Sequence, residues 1–206
     1  MEVIIEPKMI KFPGGTFRLG ETGEEVSVKP FAMCIYEVTN AEYEALFPEH
    51  QRCEYSDQDN QPMVYVRWEE AVAYCQRLSE QTGKLYRLPT EAEWEFAASG
   101  GGQRMYPWGN EKPSPKLANY YNSRIGKTTP IGSYPLGATP EGLHDMAGNV
   151  WEWCGDQFDE EQGGRVVCGG SFCDFQYVLR CAARYWVNLH YRLSLVGFRL
   201  VCGPLV

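Results

Sequence analysis

Residues 86–102 read YRLPTEAEWEFAASGGG, and the stretch carries its own start signal, buried stripe and stop. Pro89 and Thr90 restart the chain. Thr90 and Glu93 have the spacing of a capping box, in which the hydroxyl accepts from an otherwise unpaired amide while the carboxylate reaches back to the cap. Trp94, Ala97 and Ala98 then recur at helical spacing until Gly100, a residue that readily takes the left-handed turn that ends a helix. The pattern predicts a short helix with one tryptophan at its centre.

Toward the N-terminus, Trp68, Ala71, Val72, Cys75 and Leu78 predict a second helix that Gly83 stops. Thr39 and Glu42 repeat the capping box ahead of Tyr43, Leu46 and Phe47, and Pro48 closes that helix. Residues 49–63 are polar and loop-like, and 9–38 hold short apolar runs broken by Gly and Pro, which read as strands joined by turns. Toward the C-terminus, 101–148 are rich in Gly, Pro, Asn, Ser and Tyr, and a loop of that length inside a domain is expected to be functional or tightly pinned. GLHDMAGNVWEWCGD, 142–156, returns to strand-like sequence with Trp151 and Trp153 on one face, and RVVCGGSF and VGFRLVC read as two further strands. No repeat, low-complexity tract or linker interrupts the chain, so a single α+β domain over 1–206 is expected, with Trp94, Trp151 and Trp153 buried.

The formal net charge is −8. Binding to nucleic acid or an anionic membrane needs clustered Lys and Arg, and no basic run is present, so no nucleic-acid partner is expected. The opening MEVIIEPKMIKFPGG lacks a basic region followed by an apolar core, and no segment reaches the roughly 18 apolar residues of a membrane span. Synthesis in the cytosol without membrane insertion is the expectation, with assembly on a virus or cell surface left open. The eight cysteines have neither C-x-x-C spacing nor neighbouring histidines, and they read as buried apolar side chains rather than a zinc site.

The segments FPGGTFRLG, YEVTNAEY, VRWEEAVAYCQRLS, YRLPTEAEWEFAASGG, YPWGN, GLHDMAGNVWEW, RVVCGGSF and VGFRLV, in this order, resemble those of the formylglycine-generating enzyme, or sulfatase-modifying factor, family from about Met9 to Val201. The resemblance implies a C-type-lectin-like fold with a small twisted antiparallel sheet, two main helices and long ordered loops. It also implies several chemistries, because the family includes copper-dependent oxidases that convert a substrate cysteine to formylglycine, iron enzymes of thiohistidine synthesis, and members that only bind. The oxidases need two cysteines a few residues apart soon after the GGS motif, a soft thiolate pair for Cu(I). Here Cys173 follows that motif, but Cys181 belongs to the RCAAR framework and not to the partner position. The iron enzymes need a histidine set that His50, His144 and His190 do not supply. Some relatives bind Ca2+ near GNVWEW through hard oxygen donors, which makes Asn149 and Glu152 candidate ligands of a structural Ca2+. In the competing reading Asn149 holds a turn and Glu152 accepts backbone hydrogen bonds. No other cofactor is expected.

The C-terminal region most resembles the variable proteins of diversity-generating retroelements. In these a fixed frame, here GGSF, LR, CA, R and GFRLV, alternates with positions descending from AAY codons whose adenines are mutated. Such codons reach Cys, Asp, Phe, Tyr, Val, Leu, Ser, Asn and His, but not Lys, Glu, Met, Gln or Trp. Between Ser171 and Val196 there is no Lys, Glu or Met. Cys173, Asp174, Phe175, Tyr177, Val178, Tyr185, Val187, Asn188, Tyr191, Leu193, Ser194 and Leu195 lie in the reachable set. Trp186 departs from it and needs another template codon; Phe172 and Cys168 replace the tryptophan and arginine expected of the frame.

The competing reading is that these aromatics are core. Yet YWVNLHYRLSL follows neither the period of a half-buried strand nor that of a helix, and Tyr and Trp mixed with Asn and Ser resemble a paratope. The expectation is a non-enzymatic protein whose segment 168–200 recognises a protein or other macromolecular ligand through those positions and Trp186. Phe175, Tyr177, Tyr185, Trp186, Asn188 and Tyr191 are expected to be exposed together on one face. The alternatives are a formylglycine-generating copper oxidase, or a degenerate relative of it, and a structural subunit.

Overall fold

The computed structural model describes residues 6–159 and 163–203. Residues 1–5, on which part of the leader reading rests, lie outside the described residues. Short strands β1 (Met9–Phe12), β2 (Gly15–Leu19), β3 (Glu24–Val28) and β4 (Phe31–Cys34) fill the region read as strands and turns. They are followed by α1 (Asn40–Leu46), α2 (Trp68–Thr82), β5 (Tyr86–Arg87) and α3 (Glu91–Ser99). The C-terminal part holds β6 (Trp151–Asp159), β7 (Gly164–Cys168), β8 (Arg184–Asn188), β9 (Val196–Gly197) and β10 (Val201–Cys202).

The capping signals act as their chemistry requires. Thr39 and Thr90 accept from the amides of Glu42 and Glu93, both glutamates reach back to the cap amides, and Gly83 and Gly100 end α2 and α3 with φ of 73° and 65°. Thr90→Ala should therefore cost about 1 kcal/mol in chemical denaturation; an unchanged midpoint would remove the cap from the account of α3.

Among the described residues, one four-stranded sheet has the order β1-β4-β10-β5, a second has β8-β7-β6-β9, and β2-β3 form a hairpin. VGFRLVC is thus not one strand. Its start, β9, runs parallel to β6, while its end, β10, lies between β4 and β5. Gly197 stands at the start of the crossing, where a Cβ would lie 2.5 Å from the carbonyl oxygen of Met63, so no side chain fits there. Phe198, Arg199 and Leu200 fill the buried passage between the sheets.

The core lies on both faces of β6. Trp151 and Trp153 pack with Val187, Val196, Phe198 and the inner face of α2, while Cys154 turns to the opposite cluster around Trp94, Val166 and Cys168. All three tryptophans are buried, as expected. Cys34, Cys75, Cys154, Cys168 and Cys181 are buried too, whereas Cys173 is exposed.

The long segment 101–148 contains single 3-10 turns at Tyr121–Ser123 and Pro135–Gly137 and is held by hydrogen bonds rather than by regular structure. The Gln61 amide donates to the Thr128 carbonyl at 2.9 Å, and the Gly132 amide donates to Asp145 at 2.6 Å.

Glu95 of α3 is buried, and both its oxygens accept from the Gly20 amide at 3.0 Å. Desolvation is the main cause that pushes its carboxyl up to about 7, against an ordinary value of 4.5. The fold therefore favours the protonated form: its stabilisation is complete below about 4.5 and is lost as pH rises through about 7. The melting temperature should fall between pH 5 and 8, and Glu95→Gln should flatten that slope. An equal slope in the variant would assign the dependence to other groups.

Candidate ligand-binding face

The segment after β7 turns at Gly169 and Gly170, passes a 3-10 turn over Gln176–Leu179, runs as strand β8 along the edge of the second sheet, and returns at β9. Phe175, Tyr177, Tyr185 and Tyr191 are 49%, 64%, 59% and 60% exposed, far more than any core aromatic. Phe175 stacks with Tyr177 at 6.3 Å between ring centroids and meets Tyr121 at 4.5 Å. Tyr185 lies 6.5 Å from Trp186 and 6.2 Å from Trp151.

The six residues expected on one face do not form a single exposed patch. Trp186 is half-buried because its ring faces Phe158 and covers Gly164, where a Cβ would meet it at 2.6 Å. Asn188 is half-buried, and its Oδ1 accepts from the His190 amide at 3.0 Å, so it holds a turn. Val187 is core: it is 7% exposed because alternation on β8 turns it toward Trp151 and Trp153. Val178, Leu193 and Leu195 are half-buried against the same cluster, and Ser194 is half-buried between them in sequence.

Asp174 is an anchor rather than a free contact residue. Its Oδ2 accepts from the Ser171 amide at 3.0 Å, from the Ser171 hydroxyl and from Trp151 Nε1 at 2.9 Å, and its carbonyl accepts from the Tyr121 amide at 2.9 Å. Trp151 thus touches both halves of the face, Asp174 on one side and the Tyr185 ring on the other.

Three arginines fasten the segment to the rest of the molecule. Arg180 pairs with Glu21 beyond β2 at 2.6 Å, Arg184 with Glu91 of α3 at 2.8 Å, and Arg192 with Glu70 of α2. Each partly exposed pair is worth at most about 1 kcal/mol. Together they restrain the backbone at three separate places and leave little uncompensated charge beside the exposed rings. The sequence reading missed these glutamates and also Tyr121, from the long segment 101–148, and Tyr55, from the polar stretch 49–63, which extend the aromatic surface. No periodic or motif signal marks them, since the contacts join distant parts of the chain.

The candidate metal ligands are otherwise engaged. Glu152 is fully buried and receives Arg199 Nε and Nη2, both at 2.6 Å, and Trp94 Nε1 at 2.7 Å. A calcium ion at that carboxylate would have to displace a paired guanidinium, so Glu152 does not fit as a ligand. Asn149 sits in a left-handed turn with φ of 60°; its Oδ1 accepts from the Thr129 amide and its Nδ2 donates to Glu37 and Thr129. It holds the turn and does not point a free oxygen at a common site with Glu152.

A copper pair is not assembled either. The Cys173 sulfur lies 3.3 Å from the Ser171 hydroxyl on the surface, whereas Cys181 is buried in the cluster around Trp94. His50 packs on Tyr43, His144 on Tyr36, and exposed His190 approaches Glu69 at 3.6 Å. Among the described residues no group of three His, Cys, Asp or Glu side chains is placed to hold a metal ion, and no helix is long and apolar enough to cross a membrane.

Two sheets joined by a buried GFRL passage, capped helices and long pinned loops define a C-type-lectin-like domain of the formylglycine-generating type. The sequence matches the family model described as the sulfatase-modifying factor enzyme 1-like domain over residues 2–203, and the chain belongs to that family. It is 31% identical to a formylglycine-generating enzyme of Thermomonospora curvata, an alignment covering 96% of this chain and 94% of that protein. It is 37% identical to the mouse formylglycine-generating enzyme over 71% of this chain, but spans only 45% of the mouse protein's length. The inactive C-alpha-formylglycine-generating enzyme 2 of mouse is 31% identical over 82% of this chain and 75% of that protein. Among solved structures, PvdO from Pseudomonas aeruginosa superposes with a TM-score of 0.82 at 27% identity, covering 96% of this chain and 95% of that one. Treponema denticola variable protein 1 shares the fold with the same TM-score of 0.82 at 24% identity over 95% of both chains. Relatives named as enzymes and relatives named as inactive thus match this chain alike.

Proposed function

We propose that the protein is a non-enzymatic binding module, and that the aromatic face of segment 168–200 recognises another protein. The observation that carries this reading is the exposed rings of Phe175 and Tyr177 on one side of Trp151 and Tyr185 on the other, with Tyr191 exposed further along the same segment, on a backbone fastened by Asp174 and three arginine clamps. Rigid amphipathic rings give contact area at low entropic cost, and a restrained backbone lowers the ordering penalty of association. Likeness in fold to a variable protein supports the same reading. The copper-oxidase alternative draws on the formylglycine-generating relatives but lacks a second thiol beside Cys173.

Two measurements test the proposal. The purified protein should neither bind Cu(I) stoichiometrically nor oxidise a cysteine-containing peptide, and Cys173→Ser should leave the melting temperature unchanged. Copper binding abolished by that substitution would establish the oxidase reading instead. For a partner selected from a displayed protein library, Tyr185→Ala should weaken binding by roughly 2 kcal/mol or more, as at interface hot spots, with little change in melting temperature. Loss of stability without selective loss of affinity would return Tyr185 to the core. Trp186 is unsuited to this test because its ring is partly packed.

A further inference from the structure

The aromatic surface continues past segment 168–200. Tyr121, whose ring meets Phe175 at 4.5 Å, also lines a cavity of about 630 Å3 together with Tyr55 and Phe172. All three are tied in place through the backbone. The Tyr55 carbonyl accepts from the Thr128 amide at 3.0 Å and from its hydroxyl at 2.8 Å, the Tyr121 amide donates to the Asp174 carbonyl at 2.9 Å, and the Phe172 amide donates to the Asn149 carbonyl at 3.0 Å. Asn122, Gly126 and the Cys173 thiol add uncharged lining, which leaves Arg124 as the one charged residue around the cavity. Arg124 is exposed, and its guanidinium makes no hydrogen bond or ion pair among the described residues. The three clamp arginines each hold a glutamate, and Lys127 nearby in sequence is paired with Asp57 at 3.7 Å. In a chain of net charge −8, a cavity whose charge is a single unpaired cation favours an anion.

We propose that this cavity receives an acidic side chain of the partner protein, with Arg124 as its counter-charge and the aromatic lining covering an apolar residue next to it. The inference rests on the reading of the aromatic face as a protein-recognition surface, and it extends that surface to the loops before it in sequence. A guanidinium offers a planar fork of donors that matches a carboxylate. Apolar walls lower the local dielectric and strengthen such a pair relative to one in open water. The volume lies within the roughly 300–1,000 Å3 of small-ligand clefts, more than one carboxylate needs and enough for two neighbouring side chains.

Cys173 reports occupancy, because its exposed thiol lines the cavity. The full chain is alkylated with iodoacetamide, a neutral reagent, and the modified Cys173 is followed by peptide mass mapping. The ligand is N-acetyl-glutamyl-phenylalaninamide. At ten times its Kd it should slow alkylation of Cys173 roughly tenfold by mass action, and the glutaminyl analogue at the same concentration should slow it far less. Arg124→Asn removes the charge with a residue that tolerates the left-handed backbone at this position, φ 56°. It should abolish the difference between the two peptides, each rate being compared with that of the same variant without peptide, whereas Arg124→Lys should keep part of it. N-acetyl-glutaminyl-phenylalanine carries its carboxylate at the chain end instead. Stronger protection by that peptide than by the glutamyl amide, or equal protection by inorganic phosphate, overturns the assignment to an acidic side chain. Absence of protection by the glutamyl amide, or a difference between the peptides that persists in Arg124→Asn, overturns it as well. Tyr185 does not line the cavity, so Tyr185→Ala tests the parent reading separately: selective loss of partner affinity there, with no protection of Cys173, leaves the aromatic face standing and removes this site.

Discussion

Arg199→Met should destabilise the protein by about 3–5 kcal/mol in chemical denaturation, the range for breaking a buried ion pair from one side. The guanidinium is fully buried, makes two 2.6 Å bonds to Glu152, and satisfies three backbone carbonyls where the chain passes from one sheet to the other. Methionine replaces much of the volume but none of the donors. Glu152 would keep only Trp94 Nε1, and Glu37 and Asp145 would lose the positive charge that partly offsets theirs. Domains of ordinary stability hold only about 5–15 kcal/mol, so the variant should be partly unfolded at modest denaturant. Adding Glu152→Leu should restore part of the loss, because it removes the stranded carboxylate. A single-variant cost below about 1 kcal/mol would mean that water or a rearranged side chain replaces the arginine.

Trp94→Ala should cost about 3–5 kcal/mol by the same measurement. The indole is fully buried at the centre of α3, it approaches Gly169 so closely that a Cβ there would stand 3.2 Å from the ring, and it donates to Glu152 at 2.7 Å. Trp94→Phe separates packing from polarity: it keeps most of the apolar contact and should lose about 1–3 kcal/mol, chiefly the donor to a buried carboxylate. Because Trp94 and Arg199 share Glu152, the double variant should lose less than the sum of the two. Strict additivity would show that the shared carboxylate does not couple them.

Much of the fold was legible because its signals are local. Thr39, Thr90, Gly83 and Gly100 act within a few residues, and their roles hold in the structure. The split of VGFRLVC was not legible, because a mostly apolar run of seven residues serves two sheets, and its pairing with β6, β4 and β5 is made by residues distant in sequence. Segment 168–200 was read in part. Composition picked out the exposed tyrosines, but Val187 and Val178 are as reachable from an AAY codon as Tyr185 is, and only alternation on β8 for Val187 and packing of the 3-10 turn against the core for Val178 set them apart. Asp174 looked like a contact residue because nothing in its neighbours announces a bond to Trp151.

The three arginine clamps also bear on what this chain can become. They hold the segment through side chains other than the exposed rings, so the positions that face outward are not the ones that keep the backbone in place. Stability and novelty are then written at different addresses. Randomising 175, 177, 185 and 191 together should yield a population in which most members still melt cooperatively near the parent temperature, while randomising 180, 184 and 192 should broaden that distribution without enlarging the repertoire of surfaces. The same division makes the molecule a starting point for laboratory libraries.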